Sequence, residues 1–262
     1  MGSLRAGFSL ISLGVLFIVF FPFQWVSVRF GLAISARIPI LFHKLLGTAI
    51  GLRVTVTGGK KTGFPTFLVS NHISWMDIVV LGQLAPLSFI AKSEVAAWPF
   101  FGTLARLQRT IFVDRQKRSN TGRVNDEISA RLMQGETILL FGEGTSSDGN
   151  RILPFRTSLF GAVTNLANRN ADNHGRIYIQ PVAIAYQKLH GLPLGWQHKH
   201  RIAWFGDMDL LPHLWAALQE GALDVDICFG EPMKVDGNLD RKKIAKLMEN
   251  RVRDLFNDLQ YQ

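Results

Sequence analysis

The sequence predicts an α/β fold, a mixed central sheet flanked by helices, preceded by an N-terminal membrane-embedded two-helix motif. Three observations lead there: a charge-free apolar run at the start, a basic amphipathic stretch behind it, and a change of period at residue 51, where short β-type runs begin to alternate with helical ones. Bulk composition is consistent with this. Of 262 residues 47% are hydrophobic and 19% charged, which excludes a disordered chain, and the 24 glycines follow no Gly-X-Y period, which excludes a collagen. A net charge of +9 favours a polyanionic partner such as an anionic membrane. No nucleic-acid partner is expected, because the basic residues are dispersed and no zinc finger or comparable signature occurs. The single Cys228 excludes an internal disulfide and a Cys-rich zinc site, and it reads as a buried small apolar residue.

The elements follow in order. Between Arg5 and Arg29 no residue is charged, and residues 8–23 are almost wholly Leu, Ile, Val, Phe and Gly. Pro22 interrupts this run, so residues 6–21 would reach about 24 Å as a helix, short of a hydrocarbon core of ~30 Å. Arg29, Arg37 and Lys44 then share one arc of a helical wheel whose remainder is apolar. Residues 29–50 therefore read as a second, basic amphipathic helix suited to an anionic lipid surface. Positive residues flank the first run on both sides and give no through-going orientation. Two helices entering from one leaflet are the preferred reading, ahead of a single span and of a cleaved signal peptide, which would need a small-residue cleavage site. Residues 1–50 are thus expected to be membrane-associating helices and residues 51–262 a single α/β domain.

Within that domain, strands are expected at residues 54–57, 66–70, 110–113, 137–141, 177–185 and 225–229. Helices are expected at 123–133, with Val124, Ile128 and Leu132 on one face, and at 239–259, where apolar residues recur at three- and four-residue spacing.

Three segments could carry chemistry. After the strand at 66–70 comes Asn71-His72-Ile73-Ser74-Trp75-Met76-Asp77. On one continuous helix His72 and Asp77 would lie about 140° apart. If His72 is in the loop and Asp77 in the first turn of the next helix, the imidazole can fold back onto the carboxylate. The acid would then fix the ring tautomer, leaving the other nitrogen to take a proton from a hydroxyl. The plainer alternative is a capping box from Ser74 to Asp77, and the two roles are compatible. Second, the strand ending at Val113 leads into Asp114-Arg115. That guanidinium could grip an anionic head group, or it could be a surface residue of the run Arg115, Lys117, Arg118. Third, Phe141-Gly142-Glu143-Gly144-Thr145-Ser146-Ser147 is a strand followed by a glycine-rich turn, in which Glu143 could accept from a substrate hydroxyl or amine. A tight turn is the competing reading. The segment is not a Walker A loop, and no H-E-x-x-H or G-x-S-x-G occurs. His198, His200 and His213 lack a carboxylate or Cys at ligand spacing and read as solvated loop residues, so no metal is expected.

Taken together, the three segments resemble the glycerolipid acyltransferase family typified by lysophosphatidate acyltransferases, over residues 65–190. Its H-x-x-x-x-D block resembles His72 to Asp77, its arginine block the segment ending in Arg115, its F-P-E-G-T-R block Phe141 to Ser146, and its apolar block with proline Ile179-Gln180-Pro181-Val182. Gly142 stands where the family usually has Pro, and Ser146 where it usually has Arg. The resemblance implies that His72 is a general base on an acceptor hydroxyl that attacks an acyl thioester, that Asp77 orients it, and that no acyl-enzyme forms. It further implies Arg115, Glu143, Gly144, Thr145 and Ser146 as the acceptor-binding set, and no cofactor beyond an acyl carrier protein or coenzyme A thioester as cosubstrate. The implied partners are membrane lipids and a lyso-lipid acceptor, at the cytoplasmic face of a bacterial inner membrane. A Ser at 146 offers only neutral hydrogen bonds and weakens the case for a phosphate acceptor. The stretch from Glu143 to Asn150, with Leu153-Pro154-Phe155-Arg156 and Trp204-Phe205-Gly206-Asp207-Met208-Asp209, resembles the bacterial branch that acylates lyso-ornithine lipid. Lysophosphatidate or another lysophospholipid is the alternative acceptor, and a non-catalytic membrane scaffold the alternative class.

Overall fold

The computed structural model describes residues 2–59, 63–114, 120–169, 177–235 and 240–260. Helix α1 (Gly2–Arg29) is followed by a 3-10 turn at Ala33–Ala36 and by α2 (Ile38–Ile50). Next come β1 (Leu52–Thr57), β2 (Thr66–Ser70), α3 (Met76–Gly82), β3 (Ser88–Lys92), α4 (Phe101–Leu107), β4 (Ile111–Val113), α5 (Asn120–Met133) and β5 (Ile138–Phe141). The chain ends with α6 (Gly161–Arg169), β6 (Tyr178–Leu189), β7 (Leu192–Pro193), α7 (Leu210–Glu220), β8 (Leu223–Phe229), β9 (Met233–Lys234) and α8 (Arg241–Gln260).

The N-terminal helices depart from the expectation in two ways. α1 continues through Pro22 for 28 residues, about 42 Å at 1.5 Å per residue, so the proline does not end it. One lost backbone bond is outweighed by the packing of α1 along α2 and by anchors on either side of the proline: Ser9 Oγ donates to Ala49 O, and Gln24 Nε2 donates to Ser35 O and Leu107 O. The second helix starts at Ile38 rather than 29, after a turn through Gly31 and the 3-10 segment. By length and composition Gly2–Arg29 and Ala33–Ile50 could each cross a membrane. They also pack on the rest of the molecule. Ala6, Phe42, Leu46 and Ile50 form one apolar cluster with Val79 of α3 and with Leu214 and Leu218 of α7. Gly82 permits this approach, since a Cβ there would lie 2.5 Å from the His43 ring.

The strands join in the order β1-β8-β6-β2-β5-β3-β4, with β7 and β9 as short antiparallel partners of β6. β6 and β8 are antiparallel, whereas the other pairs along the path are parallel. The sheet is therefore mixed, with helices packed on it. β2 and β5 are buried along their whole length, which explains their unbroken apolar or small-residue runs, TFLVS and ILLF. Because β2 and β5 are parallel and in register, with Ser70 beside Phe141, the loops that follow them leave the same end of the sheet side by side. The two most informative sequence segments are thereby brought together. Cys228, expected to be buried, is half-buried against the core.

Candidate active site

The site begins where the β2 ladder stops. Asn71, fully buried, continues the pairing with its side chain: Nδ2 donates to Ile184 O at 3.0 Å, and Ile184 N donates to its Oδ1 at 2.9 Å. The chain then turns, and His72 Nδ1 comes 2.8 Å from Asp77 Oδ2. The same oxygen accepts from Ile73 N at 2.6 Å and Ser74 N at 3.0 Å, and the other, Oδ1, accepts from Tyr186 Oη at 2.6 Å. Asp77 is fully buried in the first turn of α3. Four donors on one buried carboxylate offset the cost of removing it from water. The capping box is half made. Asp77 reaches back to Ser74 N, but the Ser74 hydroxyl has no partner among the described residues.

In the neutral tautomer that donates Nδ1–H to this carboxylate, Nε2 of His72 keeps its lone pair. The ring is stacked on Phe141, centroids 3.9 Å apart and planes 14° from parallel, and 17% of the side chain remains exposed. The plane is thus fixed from one face by an aromatic and from the edge by an acid.

The loop after β5 holds the His72 loop from below. Ser147 donates to His72 O through both N (2.8 Å) and Oγ (3.1 Å). Glu143 accepts from His72 N at 2.9 Å and from Leu153 N at 3.0 Å, so both of its oxygens face backbone and only 1% of the residue is exposed. The expected open acceptor for substrate is in fact a brace. Burial pushes the Glu143 carboxyl up to about 8 against the pull of the two backbone bonds, and the nearby Asp77 and Asp148 charges add to the rise. Gly144, Thr145 and Ser146 do line the cavity beside His72. Ser146 Oγ donates to Trp204 O, and Trp204 N donates to Ile73 O at 2.9 Å, so a third segment closes the frame. Arg115 lies outside the described residues.

Gly142 now has a physical account. Its N–H donates to Ser70 O at 2.9 Å, a bond a proline could not make, and the Phe155 ring sits where a Cβ would come within 2.5 Å. His213, read as a solvated loop residue, is instead buried on α7 and accepts from Trp75 Nε1 at 3.3 Å, while His198 and His200 are exposed. Tyr186 and Asn71 were missed by sequence reasoning. Each acts across the sheet, and no local pattern marks it.

From His72 a cavity of about 470 Å³ runs between the sheet domain and the two N-terminal helices. Its wall is mainly apolar: Phe17, Phe20, Phe42 and Leu46 on one side, Trp75, Val79, Phe89 and Leu104 on the other. A half-buried imidazole lining an apolar cavity is suited to a reaction on a fatty chain.

Residues 53–185 match the sequence profile of the Acyltransferase family, half of the chain. The chain belongs to the acyltransferase family. Over 97% of its length it is 45% identical to a lyso-ornithine lipid O-acyltransferase of Brucella abortus (strain 2308), of which it covers 95%. Over 92% it is 42% identical to the protein of the same name from Rhizobium meliloti (strain 1021), covering 82% of it. In fold, this acyltransferase is similar to the crystal structure of the 1-acyl-sn-glycerophosphate (LPA) acyltransferase PlsC from Thermotoga maritima, with a TM-score of 0.61, 20% identity, and 96% and 97% of the two chains covered. The resemblance read from the spaced motifs, including the lyso-ornithine branch, therefore holds.

Proposed function

We propose that this acyltransferase moves a fatty acyl group from a thioester to the hydroxyl of lyso-ornithine lipid at a membrane surface, with His72 as general base and Asp77 as its orienting acid. The observation that carries the reading is the 2.8 Å contact between a fully buried Asp77 and Nδ1 of His72, whose side chain lines an apolar cavity. Nε2 takes the proton of the acceptor hydroxyl as its oxygen attacks the thioester carbonyl. The tetrahedral species then expels the thiolate, and the imidazolium returns its proton to the sulfur. A positioned base contributes about 10²- to 10⁴-fold, and because a thioester is already activated, alignment of the two chains supplies much of the remainder.

Ser146 supports the zwitterionic acceptor over a phosphate. Its hydroxyl is neutral and already donates to Trp204 O, so it offers no cation to a phosphate, and the relatives of matching length are named for lyso-ornithine lipid. Gly144 and Thr145 would border the acceptor, and Arg115 would add a cation by family resemblance. The donor is an acyl carrier protein or coenzyme A thioester, which points to the cytoplasmic face of a bacterial inner membrane. No further cofactor enters the scheme.

The test is turnover by purified enzyme in vesicles supplied with an acyl thioester and either lyso-ornithine lipid or lysophosphatidate, with products read by mass spectrometry. Preference for lyso-ornithine lipid is expected, together with its loss in His72→Ala. Exclusive use of lysophosphatidate would overturn the acceptor assignment, and an active, folded His72→Ala would overturn the mechanism.

A further inference from the structure

Helix α1 carries an outward stripe of Leu4, Phe8, Ile11, Val15 and Ile18, at four- and three-residue spacing, all exposed and uninterrupted by charge. Its neighbour α7 repeats this character. The sequence LLPHLWAALQE turns His213, Leu214, Ala217 and Leu218 inward and leaves Leu211 68% and Trp215 40% exposed, with Pro212 and Ala216 exposed beside them. The first charge along the helix is Glu220, its last residue. The two helices are bolted together: Arg5 Nη1 donates to Glu220 O at 3.2 Å, Gln219 Nε2 donates to Ser3 Oγ at 3.1 Å, and Ala6 packs in one cluster with Leu214 and Leu218.

We propose that α7 is a third bilayer-contacting element, a helix of the catalytic domain itself that lies in the membrane plane with Leu211 and Trp215 among the lipids. The occupant follows from continuity and chemistry. α7 is tied directly to α1, the helix that carries the apolar stripe, its exposed face is uncharged, and it presents a tryptophan, a side chain that favours the membrane–water boundary. At 11 residues, about 16 Å, the helix is too short to cross and long enough to lie flat. The consequence reaches the site. Leu210, Leu214 and Leu218, on the other side of α7, line the cavity, and the segment before α7 carries Trp204, which is bonded to Ile73. Bilayer contact and the His72 loop thereby share a wall, and the cavity mouth is held at the surface where lyso-lipid arrives and product departs.

The inference rests on the membrane reading above, and the experiment separates the two. In a Cys228→Ser background, single cysteines are placed at Ile11, Leu211, Trp215 and, on the polar face of α8, Asn257, and are nitroxide-labelled. The protein is bound to vesicles of phosphatidylethanolamine and phosphatidylglycerol, and power saturation compares collision with oxygen and with a water-soluble nickel chelate. Oxygen should dominate at 11, 211 and 215, and nickel at 257. Labels at 211 and 215 behaving like 257 while 11 is immersed would overturn the proposal alone. Nickel dominance at 11 as well would overturn the membrane reading and the proposal with it. Dipolar broadening between labels at 215 would mean that a second copy covers α7, also against it. The double variant Leu211→Glu/Trp215→Glu should partition into the same vesicles about ten-fold less while turning over normally in detergent micelles, and unchanged partitioning would contradict the proposal.

Discussion

The two ends of the cavity are built by different physics. At the sheet end, direction is set by hydrogen bonds: Asp77 takes four, Glu143 two, and the carbonyl of His72 two more, most of them from the loops that leave β2 and β5. At the helix end, Phe20, Phe42 and Leu46 hold position by packing, which constrains volume far more than direction. Reaction at a defined atom needs the first kind of wall, and a chain of methylenes needs only the second. The comparison makes a testable claim, that changes at the polar end alter whether the chemistry occurs and changes at the apolar end alter which chain undergoes it.

The largest effect is expected at His72. His72→Ala should lower turnover about 10²- to 10⁴-fold, with unchanged circular dichroism and vesicle binding, because the ring carries the proposed proton transfer and its backbone contacts survive the substitution. A loss confined to KM would place the imidazole in binding instead.

Tyr186→Phe comes next. The variant keeps the ring and removes one donor from a fully buried carboxylate oxygen, at a cost of about 1–3 kcal/mol, or roughly 5- to 150-fold if expressed in kcat. Burial and the Asp77 charge hold the phenol well above its usual range, so it stays a donor throughout the working pH. Without it the carboxylate that holds the His72 ring loses one of its four donors, so kcat should fall while KM for the thioester stays unmoved. An unchanged kcat would reduce Tyr186 to a packing residue.

How much of this was legible in the sequence follows from distance along the chain. β2, β5 and the His72–Asp77 pair could be read because each is a local pattern, a buried run or a loop-to-helix spacing of five residues. Tyr186 stands 109 residues from Asp77 and Asn71 stands 113 from Ile184, and only the β2–β6 pairing brings them in. The orientation of Glu143 was misread for the same reason, since its partners are the backbone of another loop and Leu153. β3, α4, α6 and α7 were not expected individually. β3 and α4 are too short for a period to show, whereas α6 and α7 carry a helical period that the sequence reading passed over. Pro22 misled because helix propensity is a weak prior against packing along a neighbour.

Glu143 gives a smaller, pH-dependent effect. Its carboxyl is raised from 4.5 to about 8 in the folded protein, so between those values the folded state keeps a proton that the unfolded chain has released, and stability falls as pH rises through that window. Glu143→Gln should flatten this slope in urea titrations from pH 5 to 8. It should also lower activity several-fold, because an amide nitrogen cannot accept and one of His72 N and Leu153 N loses its partner. An unchanged slope would mean that Glu143 is ionised in the fold.

The smallest effect on total turnover belongs to the apolar end. Leu46 lines the cavity from α2, in one cluster with Phe42 and Val79 and away from the bonded frame around His72. Leu46→Phe adds volume to a wall that has no direction to lose, and the space it takes is space for the chain. The substitution should leave turnover of a short acyl thioester within about two-fold. It should lower the long-to-short ratio of kcat/KM by roughly ten-fold, the discrimination that one or two methylenes supply in a close-fitting pocket. Competition between two thioesters of different length, in one vessel with one acceptor, measures that ratio directly. If both lengths fall equally, the packing of α2 is transmitted to the His72 loop through α3, and the two walls are one device. If only the long chain suffers, reaction and chain selection are separable, as the contrast between hydrogen-bonded and packed walls requires.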